Sequence, residues 1–347
     1  MAPADHRELV CVLGPGRSGT STMAGTLAHS GFYVPSAIKG NKTNPAGFFE
    51  PRWAVDFHRR LLDKAGVRTL DADPQAFGRL GRWTADPAIR TELREWLEKE
   101  LAGHPRLVIK DPRMVWFHDL WMAVAPEAGV HPRFVIMLRH PAEVSGSRSE
   151  YYNLRQVPGV AGWINVALMS EQLTHGSPRV LVRYVDLTAD WRRQAARVAD
   201  LGLTLEPPPD TRPHPVDDFV DPGLTRIKPG WDQVAVPEFL QVLGDRAFVA
   251  LGRIADHGES AEVDEELDDI RRDYRTVFED SLALVEARVV RSRRAAVRKA
   301  ARKATTESPD RAESVEKQDG PPAAVSGASP TRIHRLRTAV TRRLRHR

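Results

Sequence analysis

The segment from Gly14 to Thr22 has the composition of an anion-binding loop. Its nine positions hold three glycines, one arginine and four hydroxyl side chains. Glycine lets a backbone approach an anion closely, and the first free N–H groups of a helix attract negative charge. We therefore expect a phosphate or a chemically similar group to bind here. The candidate binding residues are Gly16, Arg17, Ser18, Gly19, Thr20, Ser21 and Thr22.

The spacing of this loop is close to that of a nucleotide-hydrolysing P-loop, with one difference. Such a loop reads G-x-x-x-x-G-K-[ST], and its lysine contacts the terminal phosphates. Gly14 and Gly19 have this spacing, but Thr20 occupies the lysine position and the cation has moved to Arg17. The pattern favours a chemistry other than ATP hydrolysis. The alternative is an ordinary glycine-rich turn between a strand and a helix.

Two more cations follow apolar runs that read as buried strands. Lys110 comes after residues 107–109, and Arg139 comes after residues 134–138, with Ser147 eight positions later. The carboxyl ends of parallel strands meet at one edge of a sheet, where ligands of open α/β folds bind. Arg139 and Ser147 form a second candidate phosphate site, and two such sites predict a ligand with phosphates at both ends.

Two carboxylates near these cations have structural and functional interpretations. Glu50 precedes Pro51 at the start of a predicted helix, so it is either a helix cap or a general base at the mouth of the site. Asp111 is expected to cap the helix that follows Lys110. Arg113 is either a solvated surface charge or a functional cation.

The alternation of apolar runs and helical patterns predicts an α/β fold with a three-layer parallel sheet of P-loop NTPase-like type. We expect this domain to span residues 1–257. Residues 258–304 predict a long helix nearly in coiled-coil register, which either packs on the domain or pairs with a second copy in a homodimer. Residues 305–347 contain few large apolar side chains and predict a disordered basic tail.

The positive charge is concentrated at the carboxyl end of the chain. The formal net charge is +5, but residues 288–347 hold 17 Lys and Arg against 5 Asp and Glu, a net of +12 that leaves −7 for the rest. Residues 332–347 permit a basic amphipathic helix that would contact an anionic membrane weakly or bind nucleic acid, and the alternative is a solvated tail. The high pI therefore does not predict a specific nucleic-acid-binding domain.

Other features of the composition favour a reducing cytoplasm and suggest no metal site. The sequence has a single cysteine, Cys11, in the first predicted strand, and no Cys/His cluster that would hold a metal. We expect neither a signal peptide nor a transmembrane span. The expected location is the cytoplasm, and the basic tail permits peripheral contact with a membrane.

Four motifs, taken in their order along the chain, resemble those of bacterial sulfotransferases that depend on 3′-phosphoadenylyl sulfate (PAPS). They are Gly-Arg-Ser-Gly-Thr-Ser at 16–21, Asn-Pro-Ala-Gly-Phe-Phe-Glu at 44–50, Lys-Asp-Pro-Arg at 110–113, and Arg139 with Ser147. The resemblance implies that residues 17–22 hold the 5′-phosphosulfate and that Arg139 and Ser147 hold the 3′-phosphate. It also implies that Tyr184 lies near the adenosine and that Lys228 reaches the nucleotide.

The resemblance also implies the reaction and its catalytic residues. Lys110 is similar to a lysine of tyrosylprotein sulfotransferases that stabilises the transferring sulfuryl group. Glu50 matches the family's candidate base. Arg17 supplies a further cation, at a position where the family often has lysine. The expected acceptor is a hydroxyl, such as that of a saccharide or glycolipid. A P-loop kinase of a small metabolite and a non-catalytic nucleotide-binding interaction protein are the alternatives.

Overall fold

The computed structural model describes residues 7–41, 44, 47–152, 156–221 and 230–306. Four strands form its sheet: β1 Glu8–Leu13, β2 Arg106–Lys110, β3 Pro132–Leu138 and β4 Arg179–Arg183. The α-helices are α1 Thr20–Ala28, α2 Arg52–Ala65, α3 Gly81–Thr84, α4 Pro87–Gly103, α5 His118–Val124, α6 Pro141–Tyr152, α7 Gln156–Thr174, α8 Tyr184–Ala189, α9 Trp191–Ala199, α10 Glu238–His257 and α11 Ala261–Thr306.

All four strands are parallel, in the order β2-β1-β3-β4. Each predicted apolar run became a strand because its β-branched and aliphatic side chains are buried on both faces of the sheet. The fourth strand ends at Arg183, and Tyr184 is the first residue of α8.

The two faces of the sheet bury alternate residues of each strand, so helices cover both sides. Leu9, Cys11 and Leu13 belong to the core that includes α2, α4, α5, α7 and α10. Val10 and Val12 belong to the opposite core, which includes α1 and α9. This arrangement confirms the predicted three-layer α/β fold.

The order of the strands creates a crevice between β1 and β3. The chain passes from β1 to β2 on one side of β1 and then crosses to β3 on the other side. At such a switch point the helices after the two strands lie on opposite faces of the sheet, and ligands bind beside the carboxyl ends of the strands. The loop after Leu13 and the side chain of Arg139 both lie at this crevice.

The carboxyl-terminal helix divides between two compact units, Met1–Ala283 and Leu284–Arg347. In the first unit the helix buries Val263, Leu267 and Ile270, and Tyr274 Oη lies 2.6 Å from the carbonyl oxygen of Ala72. The first unit therefore includes helical residues beyond the predicted boundary at residue 258.

The described part of the second unit is the continuation of α11 to Thr306. Its apolar side chains are exposed, and Leu284 is 74% accessible. The predicted basic tail beyond this helix lies outside the described residues, and pairing of the helix with a second copy stays a prediction. None of the described helices combines the length and the apolar character that crossing a membrane requires.

Candidate active site

The loop after β1 adopts a conformation that depends on its glycines. Gly14 has φ +123° and Gly19 has φ +91°, in the left-handed region that favours glycine. A Cβ atom on Gly14 would lie 2.5 Å from the carbonyl oxygen of Met137 in β3. The loop therefore passes too close to the neighbouring strand for any side chain at this position. Arg17 also has a positive φ, of 77°, which is uncommon for a residue with a side chain.

The start of α1 has unused hydrogen-bonding capacity. Gly19 is the N-cap residue, so no side chain caps the first N–H groups of the helix. The hydroxyl of Ser18 is fully buried and has no hydrogen-bond partner among the described residues. A buried hydroxyl without a partner is unfavourable, so an anion bound here would satisfy both the hydroxyl and the helix terminus.

Tyr184 connects this loop to Arg139. A Cβ atom on Gly19 would lie 2.3 Å from Cδ2 of Tyr184, so the tyrosine ring packs directly on the loop. The guanidinium carbon of Arg139 lies 4.8 Å from the centre of the same ring, a distance at which cation and ring attract each other. The ends of β1, β3 and β4 thus meet around one aromatic side chain.

Arg139 is held in place by further contacts. Its Nε donates to Glu143 Oε2 at 2.8 Å, and its Nη1 donates to the carbonyl oxygen of Arg17 at 3.5 Å. Ser147 lies on α6, but its side chain is outside the part of the chain that the structure describes. Lys228 as a whole lies outside the described residues. The roles of these two residues stay predictions. The catalytic role of the Arg17 side chain also stays a prediction, because the contact with Arg139 is made by the Arg17 carbonyl oxygen.

Lys110 and Glu50 form an ion pair at the end of β2. Lys110 Nζ lies 2.6 Å from Glu50 Oε1, and the lysine side chain is only 2% exposed. Burial lowers the pKa of Lys110, while the neighbouring Glu50 carboxylate opposes this effect by favouring the charged form. The structure brings together these two predicted catalytic residues, which are 60 positions apart in the sequence.

The loop that carries Glu50 is attached to α1. Ser21 Oγ donates to the carbonyl oxygen of Phe48 at 3.2 Å, and Asn44 Nδ2 lies 3.4 Å from Ser21 Oγ. Glu50 is not a helix cap, since Pro51 is the N-cap residue of α2 and no side chain caps this terminus. The Glu50 carboxylate instead faces Lys110, which agrees with the functional interpretation of this residue.

Sequence reasoning missed a buried group behind this site, centred on His58. The Nδ1 atom of His58 lies 2.8 Å from Asp111 Oδ2, and both side chains are fully buried. Asp111 also accepts hydrogen bonds from Arg113 through Oδ1. Asp111 was predicted to cap the next helix, and its Oδ1 does accept the backbone N–H of Arg113 at the start of the following helical turn. Its carboxylate has a second role that was not predicted, because it also joins α2 to the turn after β2 through His58. The available signal was the position of His58 between Ala54 and Leu61 on the apolar face of α2.

A cluster of potential metal ligands lies on α7 and α11. Ligand atoms of Glu171, His175 and Asp264 lie within 4.8 Å of one another. However, Glu171 is paired with Arg179 at 2.8 Å and also with Arg271. These two guanidinium groups already more than balance the charge of the buried carboxylate, so the cluster is better explained as a structural ion-pair network.

A family model described as "Sulfotransferase family" matches residues 10–207, which is more than half of the chain. The chain belongs to the sulfotransferase family. It is therefore a transferase, and the matched residues contain the loop, Glu50, Lys110, Arg139 and Tyr184. No curated protein matches.

Two solved structures are similar to this sulfotransferase. The sulfotransferase domain from the Synechococcus PCC 7002 olefin synthase is 18% identical, with a TM-score of 0.41, and the match covers 74% of this chain and 98% of that domain. The sulfotransferase domain from the curacin biosynthetic pathway is 14% identical, with a TM-score of 0.42, and the match covers 71% of this chain and 98% of that domain.

Proposed function

We propose that this sulfotransferase moves a sulfuryl group from PAPS to an acceptor hydroxyl. The observation that carries the proposal is the contact of Tyr184 with both Gly19 and Arg139. Through this contact the anion-binding loop after β1 and the cation after β3 belong to one site. A nucleotide with a phosphosulfate at one end and a 3′-phosphate at the other matches two such anion-binding places.

Each end of the donor has a proposed set of binding residues. The backbone of the loop, the Ser18 hydroxyl and the first turn of α1 hold the phosphosulfate, because these groups supply hydrogen-bond donors and positive potential. Arg139 holds the 3′-phosphate with its planar guanidinium, and Tyr184 packs beside the nucleotide. Ser147 and Lys228 are proposed to add contacts to the same donor.

The ion pair at the end of β2 supplies groups for the transfer step. The acceptor oxygen forms a bond to sulfur while the bond from sulfur to the bridging phosphate oxygen breaks. Lys110 stabilises the negative charge that develops on the sulfuryl and bridging oxygens. Glu50 takes the proton of the acceptor hydroxyl, and adenosine 3′,5′-bisphosphate (PAP) leaves. The residues that we assign to this step require no metal ion.

The acceptor site is proposed to lie at the mouth beside Glu50. Glu50 is 13% exposed, so its carboxylate is accessible to a bound hydroxyl. A saccharide or a lipid-linked glycan is the proposed acceptor class. Contact of the basic tail with an anionic membrane would favour the lipid-linked form.

The test uses PAPS with radioactive sulfur in the sulfuryl group and a panel of acceptors. The panel contains saccharides, glycolipids and a tyrosine peptide. We expect a labelled saccharide or glycolipid product that the Glu50→Gln variant forms about 10²- to 10⁴-fold more slowly. A labelled peptide as the sole product would replace the proposed acceptor class. Failure of every acceptor, together with transfer of phosphate from Mg-ATP, would replace the proposed reaction with that of a kinase.

A further inference from the structure

His58 makes two hydrogen bonds in the interior, and together they fix which of its nitrogens carries the proton. Trp121 Nε1 lies 3.0 Å from His58 Nε2. Because an indole N–H can only donate, Nε2 accepts and the ring proton is on Nδ1. The Nδ1–H group then donates to Asp111 Oδ2 at 2.8 Å. Phe117 stacks on the imidazole at 4.6 Å with the planes 7° apart, which holds the ring in this orientation.

Both oxygens of the Asp111 carboxylate are occupied. Oδ2 accepts from His58, while Oδ1 accepts from the backbone N–H of Arg113 at 3.0 Å and from Arg113 Nη1 at 2.7 Å. Burial would raise the pKa of this carboxyl group, but the hydrogen bonds from His58 and Arg113 outweigh it, and the pKa is lowered. Asp111 is therefore an ionised carboxylate although it has no exposed surface.

The Asp111 carboxylate affects both the position and the charge environment of Lys110. Asp111 is the next residue in the chain, so its orientation fixes the end of β2 from which Lys110 reaches Glu50. The Asp111 charge favours the protonated form of Lys110, and the Arg113 charge disfavours it. Arg113 is itself held by Asp111 at 2.7 Å. The direction and the charge environment of Lys110 thus depend on a hydrogen bond made in the interior.

We propose that His58 is a positioning residue for sulfuryl transfer, acting through Asp111 on Lys110 and Arg113. This inference rests on the proposed function. His58 is not the base of the reaction, because it is fully buried and both of its nitrogens are engaged. Its role is to keep Asp111 ionised and in one orientation. The turn after β2 is then preorganised before substrates bind.

The test compares His58→Leu with His58→Asn. Leucine removes the donor to Asp111, whereas the carboxamide N–H of asparagine replaces the Nδ1–H group. For His58→Leu we expect PAP affinity within twofold of the wild type. We expect turnover of PAPS, measured as release of PAP, to fall about 10- to 100-fold, since small misplacement of catalytic groups costs that much. His58→Asn should recover most of this loss.

A pH profile separates positioning from a loss of stability. Without the His58 donor the pKa of Asp111 rises, so the turnover of His58→Leu should fall at a higher pH on the acid side than wild-type turnover does. The matched control is His214→Leu, which removes another buried histidine with two hydrogen bonds, to Pro207 and Val216. This control should lower thermal stability and leave the pH profile unchanged.

The outcomes distinguish this inference from the proposed function. A His58→Leu variant with wild-type turnover and pH profile, in a protein that binds PAP, would overturn the inference alone. So would a His58→Asn variant that is no more active than His58→Leu. A wild-type protein that does not bind PAP would contradict the proposed function and, with it, this inference.

Discussion

Lys110 Nζ and Glu50 Oε1 lie 2.6 Å apart, with the lysine buried and the carboxylate at the surface of the site. The pair places a cation and a potential base at the end of β2, and the loop that carries Glu50 is hydrogen-bonded to Ser21 in the first turn of α1, where we propose that the donor binds. The Glu50 carboxylate favours the charged form of Lys110 and opposes the effect of its burial. Removing one partner tests both the chemistry and the stability of the site.

Replacing Glu50 by glutamine should abolish most of the transfer while sparing donor binding. Glutamine keeps the size of the side chain but cannot accept the proton of the acceptor hydroxyl. General-base catalysis contributes about 10²- to 10⁴-fold, so we expect turnover to fall within that range. Calorimetric titration with PAP should give a dissociation constant close to that of the wild type. Wild-type turnover in this variant would exclude Glu50 as the base.

The same substitution should change how stability depends on pH. Burial lowers the pKa of Lys110, and without the Glu50 charge that opposes this effect the pKa falls further. Between the pKa of the folded state and the ordinary value near 10.5, the unfolded chain binds more protons, so stability rises with pH there. Melting curves of Glu50→Gln should therefore approach those of the wild type as the pH is raised toward 10. A difference between the melting temperatures of the wild type and the variant that grows as the pH rises would contradict this account.

Arg139→Ala should weaken PAP binding. A hydrogen bond to a charged group contributes about 1.5–3 kcal/mol, which corresponds to about a 10- to 100-fold change in the dissociation constant. Arg133→Ala is the matched control, because Arg133 lies near the opposite end of β3 and donates to the carbonyl oxygens of Leu201 and His131. Equal losses in the two variants would show that Arg139 does not contact the nucleotide.

Gly19→Ala should prevent donor binding through its contact with Tyr184. The new Cβ would lie 2.3 Å from the tyrosine ring, so the loop or the ring must move. Gly66→Ala provides the control, since Gly66 also has a positive φ, of 65°, but a Cβ there meets nothing within 4 Å. Both variants should lose about 1–2 kcal/mol from backbone strain, and only Gly19→Ala should lose PAP binding. Unchanged PAP affinity in Gly19→Ala would contradict the proposed position of the donor.

Cys11 should be unreactive in the folded protein. It is fully buried in β1, and burial raises the pKa of its thiol, so the reactive thiolate does not form near neutral pH. A thiol-specific disulfide reagent should modify the protein only after denaturant is added. Rapid modification of the native protein would show that β1 opens locally.

The strand ends of the site could be predicted from the sequence because parallel strands place their carboxyl ends at one edge. Gly14, Lys110 and Arg139, which follow or end three apolar runs, therefore lie at one edge of the sheet, as expected. Tyr184 was assigned to this region only through the family resemblance. Its packing on Gly19 depends on where β4 ends, which propensity alone does not determine.

The contacts between distant loops could not be predicted. The pairing of Glu50 with Lys110 depends on the path of the loop before α2, and no local pattern specifies that path. His58 was overlooked for a different reason. The helix after Glu50 was predicted, but the histidine on its buried face was not treated as a sign of a buried partner, which the structure identifies as Asp111.

The most direct test of the central claim is calorimetric titration of the protein with PAP, beside ADP and ATP with and without magnesium. If the site holds a nucleotide that carries a 3′-phosphate, PAP should bind tightly without metal and ADP should bind weakly. Magnesium should not increase the affinity for either ADP or ATP. Preference for Mg-ATP over PAP would contradict the assignment of PAPS as the donor.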